Sequence, residues 1–190
     1  LVAQPGDAII RLIYTCGHAA APANPMDGSA MRQFEELVSQ HQRELINFHY
    51  RFVGNRSDAE DLAQETFIRA YLKFGTLKEP AKFKGWLMSI ARNLVIDFFR
   101  KNRERNMSLD DPALEHVAQV ADVGFQDRAV DAQVARELER CIDQLVREDR
   151  AIIKLLYYEG FSYQEIGELL HMNQNTLKSR LHRARKVLLT

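Results

Sequence analysis

Apolar residues recur at three- and four-residue steps along most of the chain. Phe34, Leu37, Val38, Leu45, Phe48 and Phe52 fall on one helical face, and Gly54-Asn55 ends the run. Ser57 followed by Glu60 has the form of a capping box, so a second helix is expected to open there, with Leu62, Ala63, Phe67, Ala70, Tyr71 and Phe74 inward. A connection from Gly75 to Lys84, broken by Pro80, leads to a third helix expected to bury Trp86, Leu87, Ile90, Leu94 and Phe98.

The period then disappears between Asn106 and Asp127. This segment carries Asp110, Asp111, Glu115, Asp122 and Asp127 without a Lys or Arg, and reads as an acidic linker. Periodicity returns with Val130, Val134, Leu138, Cys141, Ile142 and Leu145, followed by a helix around Ile152, Ile153, Leu155 and Leu156 that Gly160 ends. Ser162 and Glu165 form a second capping box, opening a short helix with Ile166, Leu169 and Leu170 inward. After His171-Met172-Asn173 a last helix runs to about Leu188, and two helices joined by so short a turn make a helix-turn-helix. No strand pattern of useful length occurs. The predicted fold class is all-α: two small helical domains joined by an acidic linker, the C-terminal one a helix-turn-helix. Residues 31–105 form the first domain, 106–127 the linker and 128–190 the second domain. Residues 1–30, with Pro5, Pro22 and Pro25 and no sustained period, are expected to be a disordered leader ahead of a start at Met26 or Met31.

Composition narrows the class. The 190 residues are 46% hydrophobic and 27% charged, which excludes a wholly disordered or low-complexity chain. No apolar run approaches the roughly 20 residues of a bilayer span. Two cysteines, Cys16 and Cys141, are too few and too far apart for a disulfide framework or zinc ribbon, which fits a reducing cytoplasm. Cys141 and the pair His41 and His49 are expected to be wholly or partly buried helix residues. No phosphate-cradling Gly loop, metal-binding His pair or nucleophile motif is present, so neither an enzyme nor a bound cofactor or metal is expected.

The net charge is zero, 26 Lys+Arg against 26 Asp+Glu, but the charges are sorted along the chain. The last helix holds Lys178, Arg180, Arg183, Arg185 and Lys186 with no acid. Leu177, Leu181, Ala184 and Leu188 make its buried stripe. Opposite lie Asn175, Ser179, His182 and Lys186, flanked by Lys178 and Arg183, which suits base edges in the middle and phosphates at the sides. The same cations would also suit that helix's own dipole. A second basic cluster, Arg92, Arg100, Lys101, Arg103 and Arg105, ends the third helix, and Phe83 and Trp86 interleave with Lys78, Lys82 and Lys84. Aromatic faces among cations fit unstacked single-stranded bases, although these rings would serve equally as core. Against them stand Asp58, Glu60, Asp61 and Glu65 on the second helix, with Gln64 between the last two, a face suited to a basic or polar protein partner.

Three segments carry a family resemblance, in order. They are Asp58-Ala59-Glu60-Asp61-Leu62-Ala63-Gln64-Glu65-Thr66-Phe67, then Phe83-Lys84-Gly85-Trp86-Leu87 with Ile90-Ala91-Arg92-Asn93, and last Ser162-Tyr163-Gln164-Glu165-Ile166-Gly167 with Thr176 to Arg185. Together they resemble bacterial RNA polymerase sigma factors of the extracytoplasmic-function group of the sigma-70 family, over about Met31 to Leu189. The resemblance implies that residues 31–105 are region 2 and 128–190 region 4. It implies core RNA polymerase binding by Asp58, Asp61, Gln64, Glu65 and Phe67. It implies melting and capture of the −10 element by Leu77, Lys84, Trp86, Ile90, Asn93 and Arg100. Reading of the −35 element would fall to Asn175, Thr176, Lys178, Ser179, Arg180, His182, Arg183 and Lys186. The implied partners are core polymerase, promoter DNA and an anti-sigma factor, for a cytoplasmic, non-enzymatic initiation factor serving a stress or envelope-type response. Asn175-Thr176-Leu177 departs from the Gly-Thr-Val of many members, which leaves the −35 sequence open. The alternative is a stand-alone helix-turn-helix regulator that binds a duplex operator unaided.

Overall fold

A computed structural model describes residues 28–105 and 132–189, which form seven α-helices and, among the described residues, no strand. The leader before Gly28 and the acidic linker lie outside the described residues. The helices are α1 Gly28–Val53, α2 Arg56–Lys73, α3 Phe83–Arg105, α4 Ala132–Asp143, α5 Arg147–Tyr157, α6 Tyr163–Leu170 and α7 Gln174–Leu188. They divide into two compact units, one ending at Val95 and the other beginning at Ile96. No described helix is long and apolar enough to cross a membrane.

In the first unit α1 buries Phe34, Val38, Leu45, Ile46, Phe48, His49, Phe52 and Val53, extending the face expected from its spacing. Helical structure already begins at Gly28, three residues before the expected start of the first domain at Met31. Gly54 closes the helix with φ 68°, a conformation that costs little without a Cβ. The next helix opens earlier than expected. Its N-cap is Asn55, whose side chain accepts from Ser57 N–H at 2.9 Å, so Ser57 lies inside the first turn rather than capping it. Asn is as good a cap as Ser, and the one that comes first fixes the start.

Between α2 and α3 the chain makes two single-turn 3₁₀ helices, Phe74–Thr76 and Pro80–Lys82. Phe34, Phe74 and Phe83 meet edge to face with ring centroids 5.1–6.1 Å apart, pinning the start of α1, the end of α2 and the start of α3 together. Phe83 is therefore core, not an exposed ring among lysines. The buried stripe of α3 within this unit is also rotated from expectation: Phe83, Leu87, Ala91, Leu94 and Val95 are buried, whereas Trp86 and Ile90 are only partly covered, as is Phe98 further along the helix.

One polar pair is enclosed in this core. His49 on α1 is fully buried, its Nε2 lies 3.0 Å from Thr66 Oγ1 on α2, and the Thr66 hydroxyl donates to Leu62 O at 2.7 Å. With that proton engaged, His49 Nε2–H must be the donor, which leaves Nδ1 as an unpartnered acceptor. Burial lowers the imidazole pKa from 6.5 to about 3, so the ring is neutral.

In the second unit α5 supplies Ala151, Ile152, Ile153 and Leu155, which pack with Phe161, Ile166, Leu169, Leu177 and Leu181. Gly160, at φ 70°, ends the α5 turn as expected. Cys141 is exposed, contrary to its expected place in the core. Among the described side chains of the α4 stripe, Ile142 near its end is buried while Leu138 remains 39% exposed. There Arg150 donates to the carbonyls of Asp143 and Leu145, clasping the turn into α5.

Candidate nucleic-acid interface

The placement of α7 follows from local hydrogen bonds. Ser162 Oγ accepts from Glu165 N–H at 3.2 Å and Glu165 Oε2 accepts from Ser162 N–H at 2.7 Å, the reciprocal capping box expected from the sequence. His171 then takes a left-handed conformation, φ 52° and ψ 40°, and Met172 N–H donates to Gly167 O at 3.0 Å. A Cβ on Gly167 would lie 2.8 Å from Met172 O, so the turn closes over a residue without a side chain. Asn173 Oδ1 caps α7 by accepting from Thr176 N–H at 2.8 Å.

Burial of Leu177, Leu181 and Ala184 then fixes which side of α7 faces outward. Asn175, Thr176, Lys178, Ser179, His182, Arg183 and Lys186 are all exposed, as a groove-reading face requires. Two arginines of α7 are engaged elsewhere. Arg180, among the residues expected at DNA, places Nη1 2.9 Å from Asp149 Oδ1 and 3.9 Å from Glu148 Oε2, both in the first turn of α5. Arg185 donates through Nε, at 2.8 Å, and through Nη2 to Tyr157 Oη, with its guanidinium 5.7 Å from the ring centre. That hydroxyl acceptor raises the Arg185 pKa further above its already high ordinary value.

On α3, Trp86, Ile90, Asn93 and Arg100 recur at steps of four, three and seven, so they share one face of the helix, the first three of them within the first unit. Trp86 leans on the buried Phe83 at 5.8 Å, Ile90 is half-covered and Asn93 is exposed. This row exists because the core stripe is rotated toward Leu87 and Ala91. Leu77, half-buried, follows the first 3₁₀ turn in extended conformation. Lys84 is exposed but pairs with Glu44 of α1 at 2.7 Å, and Arg100 pairs with Asp97 at 2.6 Å.

The acidic face of α2 is less negative than its composition suggests. Glu60 pairs with Arg56 at 2.6 Å and Glu65 with Arg69 at 2.8 Å, whereas Asp58 and Asp61 have no ion-pair partner among the described residues. Gln64 is half-covered beside them. Phe67, expected at the same partner surface, is fully buried and cannot touch a partner; it carries α2 on the core instead. The engagements of Glu44, Asp149 and Tyr157 were not expected from the sequence, because each joins residues far apart in the chain. The only available hint was the run of acids opening α5.

Comparison with known proteins gives two family matches. The model for Sigma-70 region 2 matches residues 37–105, and that for Sigma-70, region 4 matches residues 135–188. The ECF RNA polymerase sigma factor SigE of Mycolicibacterium smegmatis is 36% identical over 162 residues, covering 85% of this chain and 62% of its own length. The ECF RNA polymerase sigma factor SigW of Bacillus subtilis is 34% identical over 162 residues, covering 82% of this chain and 86% of its own. Among solved structures, the sigma factor RpoE in complex with the anti-sigma factor NepR from Bartonella quintana is 25% identical, covers 83% of this chain and 94% of its own, and has a TM-score of 0.40.

Proposed function

Since this chain belongs to the extracytoplasmic-function group of sigma-70 family sigma factors, we propose that it binds core RNA polymerase in the cytoplasm and directs it to promoters, without catalysing a reaction itself. Asp58, Asp61, Gln64 and Glu65 on α2 form the polymerase-docking surface, with Asp61 the most available charge. The row Trp86, Ile90 and Asn93 on α3, with Leu77, Lys84 and Arg100, captures the melted −10 strand: the half-covered indole offers a stacking face and Asn93 a base-edge partner. Lys178, Ser179, His182 and Arg183 on α7 meet the −35 base edges in the major groove, with Asn175, Thr176 and Lys186 around them. An anti-sigma factor covers these surfaces when initiation is to be withheld, and the response it controls is of the stress or envelope type.

The observation that carries this reading is the exposed polar face of α7, on a helix-turn-helix that follows a region 2 in the same chain. A stand-alone regulator would leave the first unit without a role. Run-off transcription tests the proposal: core enzyme with this protein should initiate on promoters of the family type where core alone does not. Absence of stimulation, together with tight operator binding without polymerase, would favour the stand-alone regulator.

A further inference from the structure

We propose that Arg180 does not contact DNA but positions the reading helix, acting through Asp149. This inference rests on α7 being the duplex-reading helix. Arg180 is the cation of α7 that turns away from the exposed face: its side chain is 26% exposed, against 11% for Asp149, and the two are joined at 2.9 Å across 31 residues of sequence. On a helical projection Arg180 lies about 140° from Asn175, toward the buried flank, whereas Ser179, His182 and Lys186 lie within about 40° of it. Asp149 is buried and sits in the first turn of α5, where the helix dipole favours its negative charge. Glu148, 3.9 Å from the same Nη1, adds to the attraction.

The opposite flank of α7 is held to the other end of the same helix, by Arg185 on Tyr157. Arg180 and Arg185 thus tie α7 to the start and the end of α5, and together fix its rotation about its own axis. A small rotation moves side chains of the reading face by ångströms relative to base edges. It leaves the phosphate-facing cations close to their partners. Losing Arg180 or Asp149 should therefore lower sequence discrimination more than overall affinity for DNA.

Holoenzyme, assembled from core polymerase and the full chain, is bound to a pool of promoter duplexes randomised in the upstream element, and the bound fraction is sequenced. The best and a scrambled duplex are then titrated with KCl. With Arg180→Ala and with Asp149→Asn, the affinity ratio of best to scrambled duplex should fall about tenfold, comparable to the loss of one base-pair contact. The salt slope should stay unchanged, and the double variant should lose no more than either single one, because the two residues act as one unit. If Arg180 were a phosphate contact, Arg180→Ala would lower the slope by about 0.9, and Asp149→Asn would leave binding unchanged or tighten it by freeing the cation. Either result overturns the proposal, as does an unchanged ratio in both variants. Arg180→Lys, which keeps the charge, should retain part of the discrimination; full loss with helicity intact by circular dichroism would also count against an ion-pair tether. A wild-type holoenzyme that selects no upstream sequence overturns the reading of α7 itself, and is recognised before any variant is made.

Discussion

His49 and Thr66 join α1 to α2 by a hydrogen bond of 3.0 Å in which the imidazole must be the donor, and both residues are fully buried. The ring gains nothing from a proton there, since its second nitrogen has no partner and burial holds its pKa near 3. The unfolded chain takes up that proton at the ordinary value of 6.5, so the unfolded state binds more protons between pH 6.5 and 3. Stability is consequently lost as pH falls through that window, by at most about 1.4 kcal/mol per unit from this group. Urea denaturation at pH 6.5 and 5 should show the loss in the wild type. His49→Gln, less stable at pH 6.5, should show a shallower dependence on pH; an equal dependence would place the proton uptake elsewhere.

Charge reversal on α2 should separate paired from unpaired acids. Asp61→Lys is expected to weaken core polymerase binding at least tenfold, because an exposed and uncompensated charge would be opposed by like charge. Glu65→Lys should cost less, since Arg69 already neutralises part of that carboxylate at 2.8 Å. Binding titrations of labelled protein with core enzyme rank the two, and an inverted order would refute this account.

Phe67→Ala should behave as a core deletion. A loss of about 3–5 kcal/mol is expected from removing a buried aromatic ring. Denaturation should register it, and polymerase binding should fall only in proportion to unfolding.

Glu44→Gln should release Lys84 from its 2.7 Å pair. Both partners are largely exposed, so the stability change should stay under about 1 kcal/mol. If Lys84 meets the promoter strand, open-complex affinity should rise severalfold, and Lys84→Ala should abolish the gain. Filter binding on a pre-melted promoter would measure both.

Asn173→Ala removes the cap of α7 and should cost about 1 kcal/mol. In a unit of this size that lowers the melting temperature by about 4–8 °C. Promoters that depend on their upstream element should be affected more than those that do not, in parallel run-off assays.

The elements were legible where the signal is local. Ser162 with Glu165, and Gly160 and Gly54 at helix ends, act within one turn, and the structure uses them as their chemistry suggests. Misreadings arose where two nearby residues could serve the same role or where a helix's rotation was at stake. Asn55 pre-empted Ser57 as the cap, and the Phe83 contact with Phe34 and Phe74 turned α3 so that Trp86 and Ile90 left the core. Partners of charged residues were the least legible. Arg180 reads like its neighbours in a basic helix, and only the packing of α5 against α7 brings Asp149 to it.

The weak anchoring of α4 has a kinetic consequence. Among its described side chains Ile142 is the buried one and the Arg150 clasp grips the same end, while Arg136 to Arg140 are exposed or half-covered, so that turn is held less firmly than α5. Its amide protons should exchange with solvent deuterium well before those of α5. Opening that turn would lengthen the chain ahead of Ile142, at about 1.5 Å per residue in the helix against about 3.3 Å when extended.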